Sequence, residues 1–276
     1  MPSETASRQA RPRDAVPLGD RAGVAQLPIL TFHAIDAGDS PIAFAPPLFA
    51  AWLRLVAEHG YRVLSLREVR GCLVAGNGFP ARALGVTFDD GYRSVFTEAY
   101  PRLRELGLPA TLFLTVGETP RADGRERFPP RCGREMLNWD EVAVLAGAGW
   151  EIGAHGLGHA DLSRIPLEQA KREVSESRRR IEERLGTRVT AFAYPYGRSS
   201  AAVRAWLAGE LECACGVALG LASTKSDVLA LERLDMYYLR SRPLLPLLFS
   251  PWLAPYLRLR RVPRGLRAWL RERLGR

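Results

Sequence analysis

Short apolar runs alternate with amphipathic segments through the middle of the chain. The amphipathic segments repeat apolar residues at helical spacing, and Pro46–Pro47 begins one that Gly60 ends. The apolar runs have the length and the β-branched or aromatic content of buried strands. These predicted strands are residues 27–33, 63–66, 83–86, 110–116, 150–154, 189–194, 215–219 and 231–236. The alternation predicts an α/β fold with parallel strands in roughly seven strand–helix units, either a barrel or a doubly wound sheet.

Several predicted helices carry end signals. Asn138 and Glu141 form a capping box, and Gly186 ends the long helix of residues 167–185. Residues 94–106 predict one continuous amphipathic helix. By contrast, residues 117–136 have no period and contain five arginines and two adjacent prolines. A loop of this length after a strand end is a candidate lid or substrate wall.

Charge is unevenly distributed along a chain of ordinary composition. The 276 residues are 47% hydrophobic and 25% charged, enough for one large core. The formal net charge is +9, and residues 240–276 account for it with ten arginines and one acid. We predict a disordered leader at 1–25, a barrel at 26–240 and a basic amphipathic tail at 241–276. One basic end without a recognised binding module argues against a nucleic-acid partner.

The tail has two interpretations. Residues 241–257 are apolar but contain four prolines, which disfavour a membrane-spanning helix. Residues 264–274 place leucines and Trp269 on one helical face with arginines elsewhere, a pattern typical of interfacial helices. The tail either docks on an anionic membrane surface, which would place the substrate on a lipid carrier, or packs its apolar part on the barrel.

The amino end and the cysteines bear on the compartment. Charged residues interrupt every apolar run near the amino end, so no secretory signal is predicted. Four scattered cysteines are too few for a disulfide framework and are expected to be reduced. We therefore expect a cytoplasmic protein, peripheral on the cytoplasmic membrane face if the tail docks there.

Polar residues with catalytic potential fall at predicted strand ends. Asp89 and Asp90 follow one strand and precede Gly91, although an isolated Asp-Asp-Gly is more often a solvated turn. His33, His155 and His159 also follow predicted strands. Carboxyl ends of parallel strands are where active sites are built, so these side chains are expected to converge.

Three motifs together carry a resemblance to a known family. They are Thr-Phe-Asp-Asp-Gly at 87–91, His-x-x-x-His at 155–159 and Phe-Ala-Tyr-Pro-Tyr-Gly at 192–197. From about residue 27 to 240 the chain resembles polysaccharide deacetylases, which act on chitin, peptidoglycan and chitooligosaccharides. The resemblance implies a distorted (β/α) barrel, often of seven strands.

The same resemblance implies roles for individual residues. Asp90, His155 and His159 would bind a divalent metal, most often Zn²⁺, with Co²⁺, Ni²⁺ and Fe²⁺ as alternatives. Asp89 would be the general base. The backbone N–H of Tyr196, positioned by Pro195, would bind the oxyanion. No histidine follows His159. The resemblance to the poly-N-acetylglucosamine subgroup, in which a residue pair on the first strand protonates the leaving amine, implies that His33 would be the general acid.

Two positions depart from the family pattern. Gly156 stands where a serine or threonine is usual, and Ala193 stands where many members have an arginine beside the base. Arg233 is a candidate for the missing charge. The expected function is metal-dependent removal of an N-acetyl or N-formyl group from an amino sugar, in a polysaccharide or a lipid-linked glycan. The alternative is a degenerate barrel that binds glycan without turnover, which the intact set of acids and histidines disfavours.

Overall fold

Seven parallel strands form a closed ring in the computed structural model, which describes residues 23–117 and 127–261. The strands are β1 (Gln26–Leu27), β2 (Ile29–Phe32), β3 (Arg62–Leu64), β4 (Ala83–Phe88), β5 (Thr111–Leu114), β6 (Glu151–Ala154), β7 (Ala191–Ala193), β8 (Cys213–Leu219), β9 (Ala222–Ser223) and β10 (Leu231–Asp235). Around the ring the order is β2, β4, β5, β6, β7, β8 and β10, and β10 pairs with β2. The short strand β3 pairs with β4 outside the ring, and β1 pairs with β9 in a separate antiparallel ribbon. The predicted distorted barrel of about seven strands is confirmed.

Helices cover the outside of the ring and mostly begin and end where the sequence predicts. The capping box of Asn138 and Glu141 is present. Residues 94–106 are not one regular helix, because Pro101 has no N–H to donate. The N–H of Tyr100 instead bonds to Val95 O, which makes a π-helical turn at Val95–Ala99 before the regular helix Tyr100–Glu105. The helices are α1 (Pro46–Glu58), α2 (Leu66–Ala75), α3 (Tyr100–Glu105), α4 (Trp139–Gly147), α5 (Leu167–Leu185) and α6 (Ala201–Leu207).

Alternate residues of the strands supply two separate apolar clusters. One, which includes Phe32 and Phe88, packs against Phe49 and Trp52 of α1. The other cluster includes Phe113 and small residues of β7 and β8. A Cβ at Gly153 would lie 2.6 Å from the Phe113 ring, so a side chain there would displace it. Arg233 also lies over the Phe113 ring, at 5.6 Å from its centroid.

The chain after β10 packs on the barrel as far as it is described. Two 3₁₀ turns, Met236–Leu239 and Leu245–Phe249, lead to helical residues 253–261. Leu245, Leu248, Leu253 and Leu257 are buried in the same core as the barrel helices. This packing supports the second interpretation of the tail for its apolar part. Residues 262–276, most of the predicted leader and residues 118–126 of the predicted loop lie outside the described residues.

Within the part of the chain that the structure describes, no helix is both long enough and apolar enough to cross a bilayer.

Candidate metal centre

Two adjacent carboxylates at the carboxyl end of β4 point to different partners. Asp90 and Gly91 both have a left-handed backbone, with φ of 74° and 94°. A Cβ at Gly91 would lie 2.5 Å from Leu114 Cδ1, so the tight turn requires glycine. Asp89 and Asp90 are nevertheless only 3% and 5% exposed. The turn therefore brings two carboxylates into the barrel rather than into solvent.

Asp90 lies beside the two predicted imidazole ligands. Its Oδ1 is 3.5 Å from His155 Nε2 and 3.2 Å from His159 Nε2. One donor atom from each residue falls within 4.8 Å of the others. The Nδ1–H of His155 donates to Ala193 O at 2.7 Å, which leaves the Nε2 lone pair free to bind a cation.

Buried polar atoms without hydrogen-bond partners indicate whether this cluster suits a metal. Asp90 Oδ1 and His159 Nδ1 are buried, and neither has a hydrogen-bond partner within the described residues. Burial would raise the pKa of Asp90, but the two imidazoles hold it well below its ordinary value. Burial lowers the pKa of His159, which keeps that ring neutral. A carboxylate oxygen and two imidazole nitrogens are a donor set that zinc and similar divalent metals prefer, so the residues fit such an ion.

Glu173 of α5 holds the loop that carries the two histidines. Its Oε2 accepts the N–H of Leu157 at 2.9 Å and the N–H of Gly158 at 2.8 Å. Gly156 has φ of 82°, and a Cβ there would lie 3.2 Å from the same oxygen. The Glu173 carboxylate thus supports the loop at Gly156, a position that offers no side-chain hydroxyl. Sequence reasoning missed Glu173, since nothing in its spacing shows that α5 packs under this loop.

Asp89 is paired with Arg233 of β10. The guanidinium donates to Asp89 Oδ1 at 2.8 Å and to Oδ2 at 2.7 Å, and both side chains are buried. It also donates to Gly216 O and to Thr87 Oγ1, at 3.1 and 3.2 Å. Burial would raise the pKa of Asp89, but Arg233 and then His155 hold it below its ordinary value. Arg233 therefore supplies a positive charge beside the predicted base, where Ala193 provides none.

The other predicted residues lie around this pair of carboxylates. His33 follows β2, is partly buried, and its charge adds to lowering the pKa of both Asp89 and Asp90. Tyr196 has φ of 55° and is 58% exposed, and its ring centroid lies 4.7 Å from that of His159. Pro195 beside it is buried.

Tyr92 is a further polar residue beside the site that sequence reasoning missed. Its hydroxyl is buried and has no hydrogen-bond partner within the described residues. Burial, and then the charge of Asp90, raise the pKa of Tyr92 far above its ordinary value, so the phenol stays neutral. The sequence feature that could have identified Tyr92 is its position, one residue after Gly91 of the Asp-Asp-Gly motif.

Comparison with known proteins points to one family. The sequence model described as polysaccharide deacetylase matches residues 76–211, about half of the chain. The Bacillus subtilis protein YxkH, named as a polysaccharide deacetylase, is 27% identical over 174 residues, which cover 63% of this chain and 58% of that protein. The Escherichia coli poly-β-1,6-N-acetyl-D-glucosamine N-deacetylase is 38% identical over 105 residues, 35% of this chain and 14% of that enzyme. The chain thus spans less than two thirds of either relative.

Solved structures agree on the fold. IcaB from Ammonifex degensii superposes with a TM-score of 0.68 at 22% identity, covering 81% of this chain and 95% of that one. The matched span 76–211 contains both carboxylates, both clustered histidines and Tyr196, whereas His33 and Arg233 lie outside it. With its motifs, its barrel and its converging side chains, the chain belongs to the polysaccharide deacetylase family.

Proposed function

We propose that the protein hydrolyses an N-acyl group, acetyl or formyl, from an amino sugar of a glycan, and that a divalent metal held by Asp90, His155 and His159 supports the reaction. The observation that carries the proposal is an ionised, arginine-paired carboxylate directly beside a three-ligand cluster with an unsatisfied buried oxygen. The named activity of the Escherichia coli relative, removal of acetyl groups from poly-N-acetylglucosamine, supports an acetylated glycan as the substrate.

Asp89 has the geometry of a general base. The metal, when bound, supplies Lewis acidity toward the amide carbonyl and the attacking water. Asp89 accepts the proton from that water. Each of its oxygens takes one hydrogen bond from Arg233, and a carboxylate oxygen has two lone pairs, so each oxygen retains one for the proton. Arg233 meanwhile fixes the orientation of the carboxylate.

Two further groups complete the reaction. The backbone N–H of Tyr196 donates to the oxyanion that forms on the substrate carbonyl, and the buried Pro195 constrains its position. His33 protonates the departing amine, since an amine is a poor leaving group unless it gains a proton. It is the remaining histidine near Asp89 and Asp90 once His155 and His159 are assigned to the metal.

The competing function is glycan binding without turnover. To distinguish the two functions, the protein is first stripped of metal and then loaded with Zn²⁺, Co²⁺ or Ni²⁺. It is incubated with β-1,6-linked N-acetylglucosamine oligomers, with N-formyl amino sugars and with lipid-linked forms of both. Released acetate or formate is then measured. Acid release only by the metal-loaded protein supports the proposal, and oligomer binding without acid release supports the competing function.

The ligand set is tested separately by elemental analysis. Asp90→Ala, His155→Ala and His159→Ala each remove one donor atom and are expected to lower the bound metal. His59→Ala is the matched control, because His59 binds Leu55 O and stacks on Phe249 away from the cluster. Full metal content in all three ligand variants would contradict the assignment.

A further inference from the structure

The helical segment 253–261 presents two chemically different faces. Leu253 and Leu257 are 5% and 2% exposed and pack into the barrel core. Leu259 on this helix is 70% exposed, and Trp252, which immediately precedes the helix and lies seven positions before Leu259, is 69% exposed. Of the apolar residues predicted from sequence to lie in a membrane interface, those buried in the core are unavailable. Within the part of the tail that the structure describes, the large apolar side chains exposed for such a contact are Trp252 and Leu259.

The stretch of chain that carries these two exposed side chains is basic. Residues 236–261 contain five arginines and no acid. Within the described residues none of the five forms an ion pair, whereas the arginines 178–180 of α5 all pair with glutamates. Arg260 instead contacts the hydroxyl of Tyr256, and Tyr256 donates to Tyr238 O. These arginines therefore carry charge that no acid among the described residues neutralises through an ion pair.

The sequence beyond this segment continues the same composition. Residues 262–276 add five arginines and one glutamate, together with Leu266, Trp269 and Leu270. A partner that accepts the described surface must offer negative charge together with an apolar layer.

We propose that the surface formed by Trp252, Arg258, Leu259 and Arg260 docks on the headgroup layer of a bilayer of anionic phospholipids. Tryptophan is favoured at the headgroup level, where its ring is half in an apolar layer, and leucine enters the acyl boundary just below. Arginines beside them are attracted to anionic headgroups. A nucleic acid would attract the arginines but would not bury an exposed Leu259 in an apolar layer. Charge and apolar exposure together therefore favour a lipid surface. Arg240 donates to Ser40 O in the loop after β2, which links the start of this basic region to the edge of the barrel that carries the metal centre.

Vesicle sedimentation of the full chain tests the proposal. The probes are vesicles of phosphatidylglycerol and phosphatidylcholine in equal amounts, and vesicles of phosphatidylcholine alone. The wild-type protein is expected to sediment with the first and not with the second, and less in high salt. Trp252→Ser combined with Leu259→Ser, and Arg258→Glu combined with Arg260→Glu, are each expected to weaken partitioning by about tenfold or more.

Matched controls separate this surface from general effects. Val74 is 72% exposed on α2, and Arg54 is exposed on α1 without an ion pair among the described residues. Val74→Ser and Arg54→Glu are expected to sediment like wild type, and circular dichroism checks that all variants fold. If wild type does not bind the anionic vesicles, or if either double variant sediments as wild type does, docking through this surface is wrong. Loss in the arginine variant with full binding by the Trp252 and Leu259 variant would likewise overturn it, since the surface would then respond to charge alone.

Discussion

Asp89 and Glu151 are carboxylates at opposite ends of the barrel strands, and they differ in whether a cation is paired with them. Asp89 follows the carboxyl end of β4 and receives two hydrogen bonds from Arg233. Glu151 begins β6, and its Oε2 accepts longer hydrogen bonds from the N–H of Arg67 at 3.2 Å and from the hydroxyl of Thr111 at 3.4 Å. Its Oε1 is buried, with no hydrogen-bond partner within the described residues.

The pKa values of the two carboxyls move in opposite directions. Burial raises the pKa of Glu151, and the backbone N–H of Arg67 does not overcome this. Burial acts the same way on Asp89, but the guanidinium of Arg233 reverses the outcome. Burial alone therefore does not mark a catalytic carboxylate. A paired cation, which keeps the group ionised and oriented, distinguishes the end of the barrel that can do chemistry.

The first prediction removes the charge of Asp89 and keeps its shape. Asp89→Asn is expected to lower kcat by about 10²–10⁴-fold, the usual contribution of a general base, because an amide cannot accept the proton. Bound metal, measured by elemental analysis, is expected to stay at the wild-type level. The equivalent Glu151→Gln change should leave kcat unaltered. Near wild-type turnover by Asp89→Asn would contradict the assigned role.

The second prediction removes Arg233, the cation of the Asp89–Arg233 ion pair. Arg233→Met leaves the Asp89 carboxylate buried without a partner and is expected to cost about 3–5 kcal/mol in the free energy of unfolding. Urea denaturation measures this. Asp89→Leu combined with Arg233→Met removes both charges and is expected to be more stable than Arg233→Met alone. A double variant no more stable than the single one would show that packing against Phe113, not the charge, explains the loss.

The third prediction concerns Glu173, whose carboxylate accepts two backbone N–H groups of the histidine loop. Glu173→Ala frees the loop of His155 and His159 and is expected to weaken metal affinity by about 10–100-fold, the usual effect of losing a group that supports the ligands. Competition with a chromophoric chelator measures the affinity. Glu173→Gln retains one acceptor oxygen and should therefore bind metal with most of the wild-type affinity.

Glu176→Ala controls for this change, because Glu176 lies on the same helix but pairs with Arg179 and Arg180. It is expected to bind metal as wild type does. Equal affinity losses in the Glu173→Ala and Glu176→Ala variants would mean that general damage to α5, not the loop contact, is responsible.

The smallest expected effect is at the amino end of the barrel. Because the pKa of Glu151 is raised by folding, the wild-type protein loses stability as pH rises from the unfolded pKa of a glutamate through the folded one. Glu151→Gln has no such titration. Relative to wild type it is expected to gain up to about 1 kcal/mol in the free energy of unfolding near neutral pH, and little near pH about 4. A larger gain at acidic pH than at neutral pH would reverse the sign of this argument.

Local pattern predicts the strand and helix order because short-range forces set it. Apolar runs with β-branched residues became strands, and the capping box at Asn138 began α4 as expected. The closed ring of about seven strands was predicted through the family resemblance, while alternation alone left a doubly wound sheet open. The π-helical turn before α3 was missed although Pro101 was visible, since a missing N–H has several local solutions.

At the metal centre, too, local sequence and tertiary structure decide different things. The sequence by itself determined which residue types stand at the strand ends, because the motifs around Asp89, His155 and Tyr196 are contiguous and carry their own turns. Only the tertiary structure decided which partners those residues meet. Arg233 is 144 positions from Asp89, and Glu173 reaches the histidine loop from a helix packed beneath it. The closure of the barrel and the packing of α5 determine these contacts, and no local spacing encodes either distance.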